Sequence, residues 1–393
     1  MRSLLLAVLA CACWRAEPAQ ADGLDYALGK ALFDRIWTSS PASTQATDGL
    51  GPLFNARSCA ACHPKAGRGT FREDEQGHIT GAGLALRIGD AEGQGDPTYG
   101  IQLQTLAVQG LREEGRLRRR AGGGVFPVAL TQGDLDAGSR VGGRLAPSLL
   151  GLGLLEQVAE DAVLEWADPG DRDGDGISGR ANRVPDREGR EVLGRFGWKA
   201  GKASLLMQTA AALNTDIGLS NPVYPRHEGD CSVRQIDCLE APHGGSPGFE
   251  GLEIDSRMLR LITTFVSRTP APAATTDLEG LSLFEDTGCA DCHRTSLPLP
   301  GGGQVAAFSD LLLHDLGPEM ADGIGDGLAT GSEWRTAPLW GLARATRFLH
   351  DGRARSVREA ITLHAGEAEA SRLRFEALAA KGRARLLAFL SSL

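Results

Sequence analysis

Two short stretches of this 393-residue chain carry residues suited to redox chemistry: "CAACH", from Cys59 to His63, and "CADCH", from Cys289 to His293. The chain holds eight Cys and eight His. Random placement would give roughly 0.003 C-x-x-C-H matches, so two are not accidental. Three chemistries compete. Two C-x-x-C pairs suit a four-thiolate zinc site, but both adjacent histidines then have no role. A dithiol exchanger needs a strand-to-helix context and no histidine, and "FNARSCAACHP" follows no strand-like run. Covalent haem attachment uses all three residues. The thiols add to the vinyl groups and the histidine ligates iron. The spacing therefore predicts two covalently bound haem c groups, attached at Cys59, Cys62, Cys289 and Cys292. His63 and His293 are the expected axial ligands.

The sixth iron ligands decide whether each haem carries electrons or binds substrate. His364 lies in "SVREAITLHAGEA", read as a helix capped by Ser356 whose apolar face carries Val357, Ile361 and His364. It is either a core histidine or a ligand of the haem in the same unit. His314 and His350, each followed by Asp, read as hydrogen-bonded structural histidines, and His227 and His243 as surface residues. His78, in the polar "FREDEQGHITGAG", reads as exposed or as a displaceable ligand of the first haem.

Asp171, Asp173, Asp175 and Gly176 match positions 1, 3, 5 and 6 of a calcium loop, although position 12 is Asn182 rather than Glu. One calcium ion is expected there, with an acidic turn as the plain alternative.

The elements that must hold these groups are helical in pattern. "LDYALGKALFDRIW" (24–37) spaces Leu24, Leu28, Leu32 and Ile36 by four, ahead of the first motif. Leu278, Leu281 and Phe284 precede the second. Phe375, Leu378, Leu386, Phe389, Leu390 and Leu393 give a closing helix, with Gly382 on the same face to admit a partner helix. Helix, loop and C-x-x-C-H open a cytochrome c unit. The predicted fold is mainly α, with two cytochrome c-like haem domains. The boundaries are a signal peptide at 1–21, an N-terminal domain at 22–268 enlarged by loop-rich insertions, a linker "TPAPAATTD" at 269–277, and a C-terminal domain at 278–393.

The N-terminus has Arg2, a short apolar run from Leu4 to Ala12, and the small-residue site "AQA" at 19–21. This predicts export to the periplasm. Cys11 and Cys13 end the apolar run and leave lipid anchoring as the alternative to cleavage. Outside the cytoplasm, Cys231 and Cys238 in "CSVRQIDC" read as a disulfide closing a small loop. A net charge of −9 argues against nucleic acid as a partner. The run "REEGRLRRR" (112–120) reads as a solvated loop or helix end, with a docking patch for an acidic redox partner as the sharper alternative.

With these motifs on the page, the chain resembles the di-haem c-type oxidoreductases, peroxidase-like proteins also called thiol oxidoreductases. The resemblance covers almost all of the mature chain. It is carried by "SCAACHPKAGRG", "RLAPSLLGLGLLEQV", "DGDGISGRANRV", "LGRFGWKA", "CADCH", "LLLHDLGPEMADG", "EWRTAPLWGL", "FLHDGRARSVREAI" and "HAGEA". The C-terminal half is also similar to bacterial di-haem cytochrome c peroxidases and to the related methylamine-utilisation enzyme that modifies tryptophans. Their distal ligand position, Met or Tyr, falls on His364 here, which implies a bis-His iron of lower potential. In the N-terminal half the peroxidase "WDGRA" is absent, and "GRLAPSLLGLGLLEQV" stands in its place. By that alignment Glu156 matches an active-site acid/base; an exposed helix residue is the plain alternative.

The resemblance implies a two-haem enzyme. A small periplasmic donor, a cytochrome c or a cupredoxin, would feed the C-terminal haem. Electrons would pass to the N-terminal haem, where an oxidant such as hydrogen peroxide binds. Glu156 would move the proton and Arg140 or Arg144 would stabilise developing negative charge. Trp198, in "RFGWKA", is either a core residue or a bridge between haems. The rivals are a pure electron-transfer di-haem cytochrome and an enzyme that oxidises side chains of a partner protein.

Overall fold

The computed structural model describes residues 18–44, 47–120, 123–273 and 277–393. The signal segment, with Cys11 and Cys13, lies outside the described residues except for 18–21, whose backbone opens the first helix. Part of the linker, 274–276, lies outside as well.

Each haem motif follows a helix that packs on a closing helix. In the N-terminal half Pro18–Asp34 crosses Ser256–Ser267. The latter is capped by Asp255, whose carboxylate accepts the Met258 N–H at 2.7 Å, and it buries Leu259, Leu261, Ile262, Phe265 and Val266. The expected stripe on the first helix is shifted. Leu32 is buried, but Leu24 is exposed, and so is Ile36, which lies beyond the helix end. The packed side instead carries Gly29, Leu32 and Phe33. At Gly29 any Cβ would run into the carbonyl of Leu261, so glycine sets the approach of the two helices.

The C-terminal half repeats the plan. Leu278–Asp286, capped by Asp277, packs on Ala380–Leu390. Phe284, Phe375, Leu386, Phe389 and Leu390 form its core with Phe308. The closing segment is two helices, Glu369–Ala377 and Ala380–Leu390, broken at Leu378. Close approach here comes from Gly280, whose missing Cβ makes room for Phe389; Gly382 meets nothing nearer than Leu378 at 3.7 Å.

The mainly-α expectation is overturned. The chain is 29% helical and 16% strand, with several small sheets. Most lie in the enlarged middle of the N-terminal half. Leu84–Gly89 pairs antiparallel with both Gln102–Leu103 and Arg140–Leu145. Arg72–Glu73, His78–Thr80, Arg116–Arg119 and Val125–Val128 form a four-stranded sheet. The basic run is loop over 112–115 and strand over Arg116–Arg119. Leu117 points inward while Arg116 and Arg118 point out. These strands are two to six residues long, and glycine and arginine interrupt their alternation, so their period-2 signal is faint.

The enlarged middle also locks onto the C-terminal half. Arg180 bridges to Leu313 through backbone bonds, and its Nε donates to Glu333 at 3.0 Å. The Arg335 N–H donates to the Trp198 carbonyl, and the Leu145 N–H to the His350 carbonyl.

Candidate functional site: two cavities sharing a wall

Two cavities, of about 350 and 180 Å3, open onto the two C-x-x-C-H motifs. Cys59, Cys62 and His63 line the larger; Cys289, Cys292 and His293 line the smaller. All four thiols are free. Each pair serves its own cavity, so the four sulfurs cannot converge on one tetrahedral metal. Burial pushes the Cys59 thiol up to about 12 and raises the other three as well.

The three histidines assigned to iron share one arrangement. His63 Nδ1 donates to the Pro147 carbonyl at 2.9 Å. His293 Nδ1 donates to the Phe308 carbonyl at 2.9 Å, and His364 Nδ1 to the Ala360 carbonyl at 2.7 Å. A carbonyl can only accept, so Nδ1 carries the proton and Nε2 keeps its lone pair for a metal. Burial pushes His63 and His293 down to about 4, which holds both neutral. His364 lines the same cavity as His293, and a charge on His364 depresses His293. Ser356 caps the helix before it, accepting the Glu359 N–H at 3.1 Å.

The other histidines are accounted for. His314 donates from Nε2 to Asp310 at 2.8 Å and from Nδ1 to Glu367 at 2.7 Å. It is an imidazolium held by two carboxylates, neither of them the adjacent Asp315. His350 is a stacked ring rather than a hydrogen-bonded one, lying 3.6 Å from Trp334 at 12°. His78 is bonded to Asp74 at 3.0 Å and lines neither cavity, which removes it as a ligand. Among the described residues the larger cavity has no histidine besides His63, and no methionine or tyrosine.

The expected acid/base and charge-stabilising residues are placed differently. Glu156 lines neither cavity; its carboxylate accepts the Leu205 N–H at 2.7 Å and so caps the helix Leu205–Ile217. Arg140 is exposed and bonds backbone carbonyls. Arg144 does line the larger cavity, but it is ion-paired with Asp322 and lies 4.6 Å above Trp334. Its charge is already neutralised.

Sequence reasoning missed Arg68 and Arg335. Both line both cavities. Arg68 lies 5.6 Å above Trp198, and Arg335 donates to the carbonyls of Gly197 and Thr336. Neither has an ion-paired carboxylate among the described residues. Trp198 also lines both cavities, with its indole N–H donating to the Leu145 carbonyl at 2.7 Å. Arg68 and Arg335 lie in stretches that carry the family resemblance, but nothing in their local pattern shows that they meet at one wall.

Elsewhere, Cys231 and Cys238 are joined as a disulfide with Cα atoms 6.3 Å apart. Asp171, Asp173 and Asp175 are exposed and can place carboxylate oxygens within 4.8 Å of one another. His227, His243 and Glu253 converge similarly. The two rings there are stacked at 4.0 Å and 11°, so their lone pairs run parallel rather than toward one point. Among the described residues no helix is long and apolar enough to cross a membrane.

No curated protein matches the chain. A solved structure described as Kuenenia stuttgartiensis hydrazine synthase pressurised with xenon aligns over 100% of both chains, at 14% identity and a TM-score of 0.32. A family model described as "Di-haem oxidoreductase, putative peroxidase" matches residues 15–95 and 124–393. Two cavities built around two C-x-x-C-H motifs and a match over most of the chain lead to one conclusion: this protein belongs to the di-haem oxidoreductase family.

Proposed function

We propose that the chain is an exported, peroxidase-like enzyme that takes electrons in at the C-terminal haem and uses them at the N-terminal one. The observation that carries this reading is the unequal supply of ligands. The smaller cavity presents His293 and His364, each with Nδ1 on a carbonyl and Nε2 free, besides His350 stacked on Trp334; the larger presents His63 alone. Two strong ligands make an electron carrier, and one leaves a position for substrate.

Bound haem supplies one-electron chemistry at iron; the chain does the rest. The four thiols hold the porphyrins by thioether bonds. Arg335 is buried and Arg68 half-buried, neither is ion-paired among the described residues, and both would suit the carboxylate groups of a bound haem. Trp198 stands in that wall as the aromatic contact between the two haems. A small cytochrome c or cupredoxin is the donor, and hydrogen peroxide the oxidant. The disulfide supports a site of action outside the cytoplasm. The converging Asp171, Asp173 and Asp175 suit one calcium ion. Calcium should raise the melting temperature of chelator-treated protein; no shift would refute the ion.

Ferric absorption and paramagnetic resonance spectra test the main reading. One high-spin and one low-spin haem are expected, with peroxide perturbing the high-spin signal. Two low-spin, peroxide-inert haems would instead identify a pure electron carrier.

A further inference from the structure

We propose that Asp216 is the residue that moves protons in the N-terminal haem cavity, with Arg87 as the counter-charge nearby. This rests on the reading that the N-terminal haem is open to substrate. Asp216 ends the helix Leu205–Ile217 and lines the larger cavity. Its Oδ1 accepts from Gln102 Nε2 at 2.7 Å. Among the described residues Oδ2 has no protein partner, yet it is not sealed off from space.

Gln102 Nε2 also reaches the Thr215 carbonyl at 3.5 Å, and the main chain that carries it is fixed. Gln104 Nε2 donates to the Thr215 carbonyl at 3.0 Å and to the Gln102 carbonyl at 3.3 Å. Asn55 Nδ2 donates to Gln104 Oε1 at 2.7 Å. Asn55, Gln102 and Gln104 are all buried. Gln104, held by Asn55, thus fixes the main chain of Gln102 and Thr215, and from that fixed backbone the buried Gln102 amide alone reaches and orients the carboxylate.

Two other carboxylates line the cavity, Glu92 and Asp326. Asp216 is the one whose charge is felt at both attachment thiols, Cys59 and Cys62. It is therefore the cavity carboxylate closest to the thiols that would hold the haem. The cations facing this space are Arg87 from the strand Leu84–Gly89, Lys199 and Lys202 from the turn before the helix, Arg68, Arg335, and Arg144, which is paired with Asp322. Lys199 is taken up by the carbonyls of Thr330 and Glu333. Arg87 and Lys202 form no ion pair among the described residues. Burial raises the Asp216 carboxyl above its ordinary range, while the Gln102 bond and the Arg87 charge pull it down.

The chemistry balances as hydrogen peroxide plus two electrons and two protons giving two waters. The O–O bond breaks with its electron pair on the departing oxygen. Asp216 takes a proton from one oxygen and delivers it to the other, so that the departing oxygen leaves as water. The electrons come from the one-electron donor protein through the haems, and the two protons from solvent.

The test uses the di-haem protein and its Asp216→Asn and Asp216→Glu variants. Hydrogen cyanide binding to the high-spin haem is followed by stopped flow from pH 4 to 9, beside the peroxide reaction. The native protein should show an inflection above the ordinary carboxylate range. Asp216→Asn should lose it and slow peroxide turnover by about 100-fold, with the low-spin C-terminal signal unchanged. Asp216→Glu should keep an inflection at a shifted pH. A native-like cyanide profile in Asp216→Asn would overturn the assignment while leaving the open-haem reading intact. If Asp216→Asn fails to take up haem, an unshifted inflection in Asp216→Glu overturns it equally. A native first haem that is low-spin and binds no cyanide overturns both.

Discussion

The two cavities hold the same motif and do different things with it. Both place a Cys pair and a carbonyl-anchored histidine against a wall that contains Arg68, Trp198 and Arg335. The smaller adds His364 and is lined chiefly by apolar side chains such as Phe284, Leu339, Val357 and Ile361. The larger has nearly twice the volume, no second strong ligand, and Asp216, Arg87 and Lys202 facing in. For the same prosthetic group, the extra room and polarity of the first site are what a reacting small molecule needs. The second site is smaller and more apolar.

The largest expected effect tests whether each motif serves its own cavity. Replacing Cys59 and Cys62 by Ala should take haem content from two per chain to one, and Cys289→Ala with Cys292→Ala should remove the other. Pyridine haemochrome assay reads both, and spectra tell which haem survives. Loss of both haems from either pair would break the assumption that the sites load separately.

Next is the ligand asymmetry itself. His364→Ala should turn the C-terminal haem from low-spin to high-spin and let it bind cyanide, leaving the N-terminal signal in place. His364→Met should keep it low-spin and raise its potential. An unchanged spectrum in both would remove His364 from the iron; His350, stacked on Trp334 in the same cavity, would be the next residue to replace.

The helix pairs behind the two sites offer a smaller contrast. Gly29 abuts the backbone carbonyl of Leu261, which cannot move without its helix, whereas Gly280 abuts the side chain of Phe389. Overpacking of this kind costs ~1–3 kcal/mol. Gly29→Ala should lie at the upper end and Gly280→Ala at the lower, as read by chemical denaturation of the di-haem protein. The reverse order would mean that the C-terminal pair is the stiffer one.

The smallest effect is a pH window confined to the second site. Glu367, bonded to His314 and Ser178, is held down to about 2 against an ordinary 4.5. Its stabilising contribution is complete above pH 4.5 and is lost as pH falls toward 2. His314 is raised well above 6.5, chiefly by Asp310, against the burial that lowers it. Its contribution is complete below pH 6.5 and is lost as pH rises through the raised value. The two contributions are therefore both complete between pH 4.5 and 6.5. Glu367→Gln should remove the acid-side slope in melting temperature; an unaltered slope would assign it to other carboxylates.

The sequence already grouped four residues that line the smaller cavity. Cys289, Cys292, His293 and His364 fall within about eighty residues, in a segment where helical spacing and a cap at Ser356 mark the element. The first site was legible only at its motif. Glu156 looked like a catalytic acid because its segment resembles one, yet the fold turned it into a helix cap. Asp216 sits at the end of an ordinary amphipathic helix, and nothing local distinguishes it. The strands were missed for the same reason: they are short, and their partners lie tens of residues away.

By itself the sequence determined where covalent chemistry can occur, because thioether attachment needs two thiols and a histidine at fixed, short spacing along one chain. The tertiary structure decided which polar groups face the space beside those points. Arg68 and Arg335 are 267 positions apart in sequence, yet both line the wall between the cavities. Cavity walls are assembled from elements distant along the chain. Their charge and openness follow from packing, and no local spacing rule encodes that.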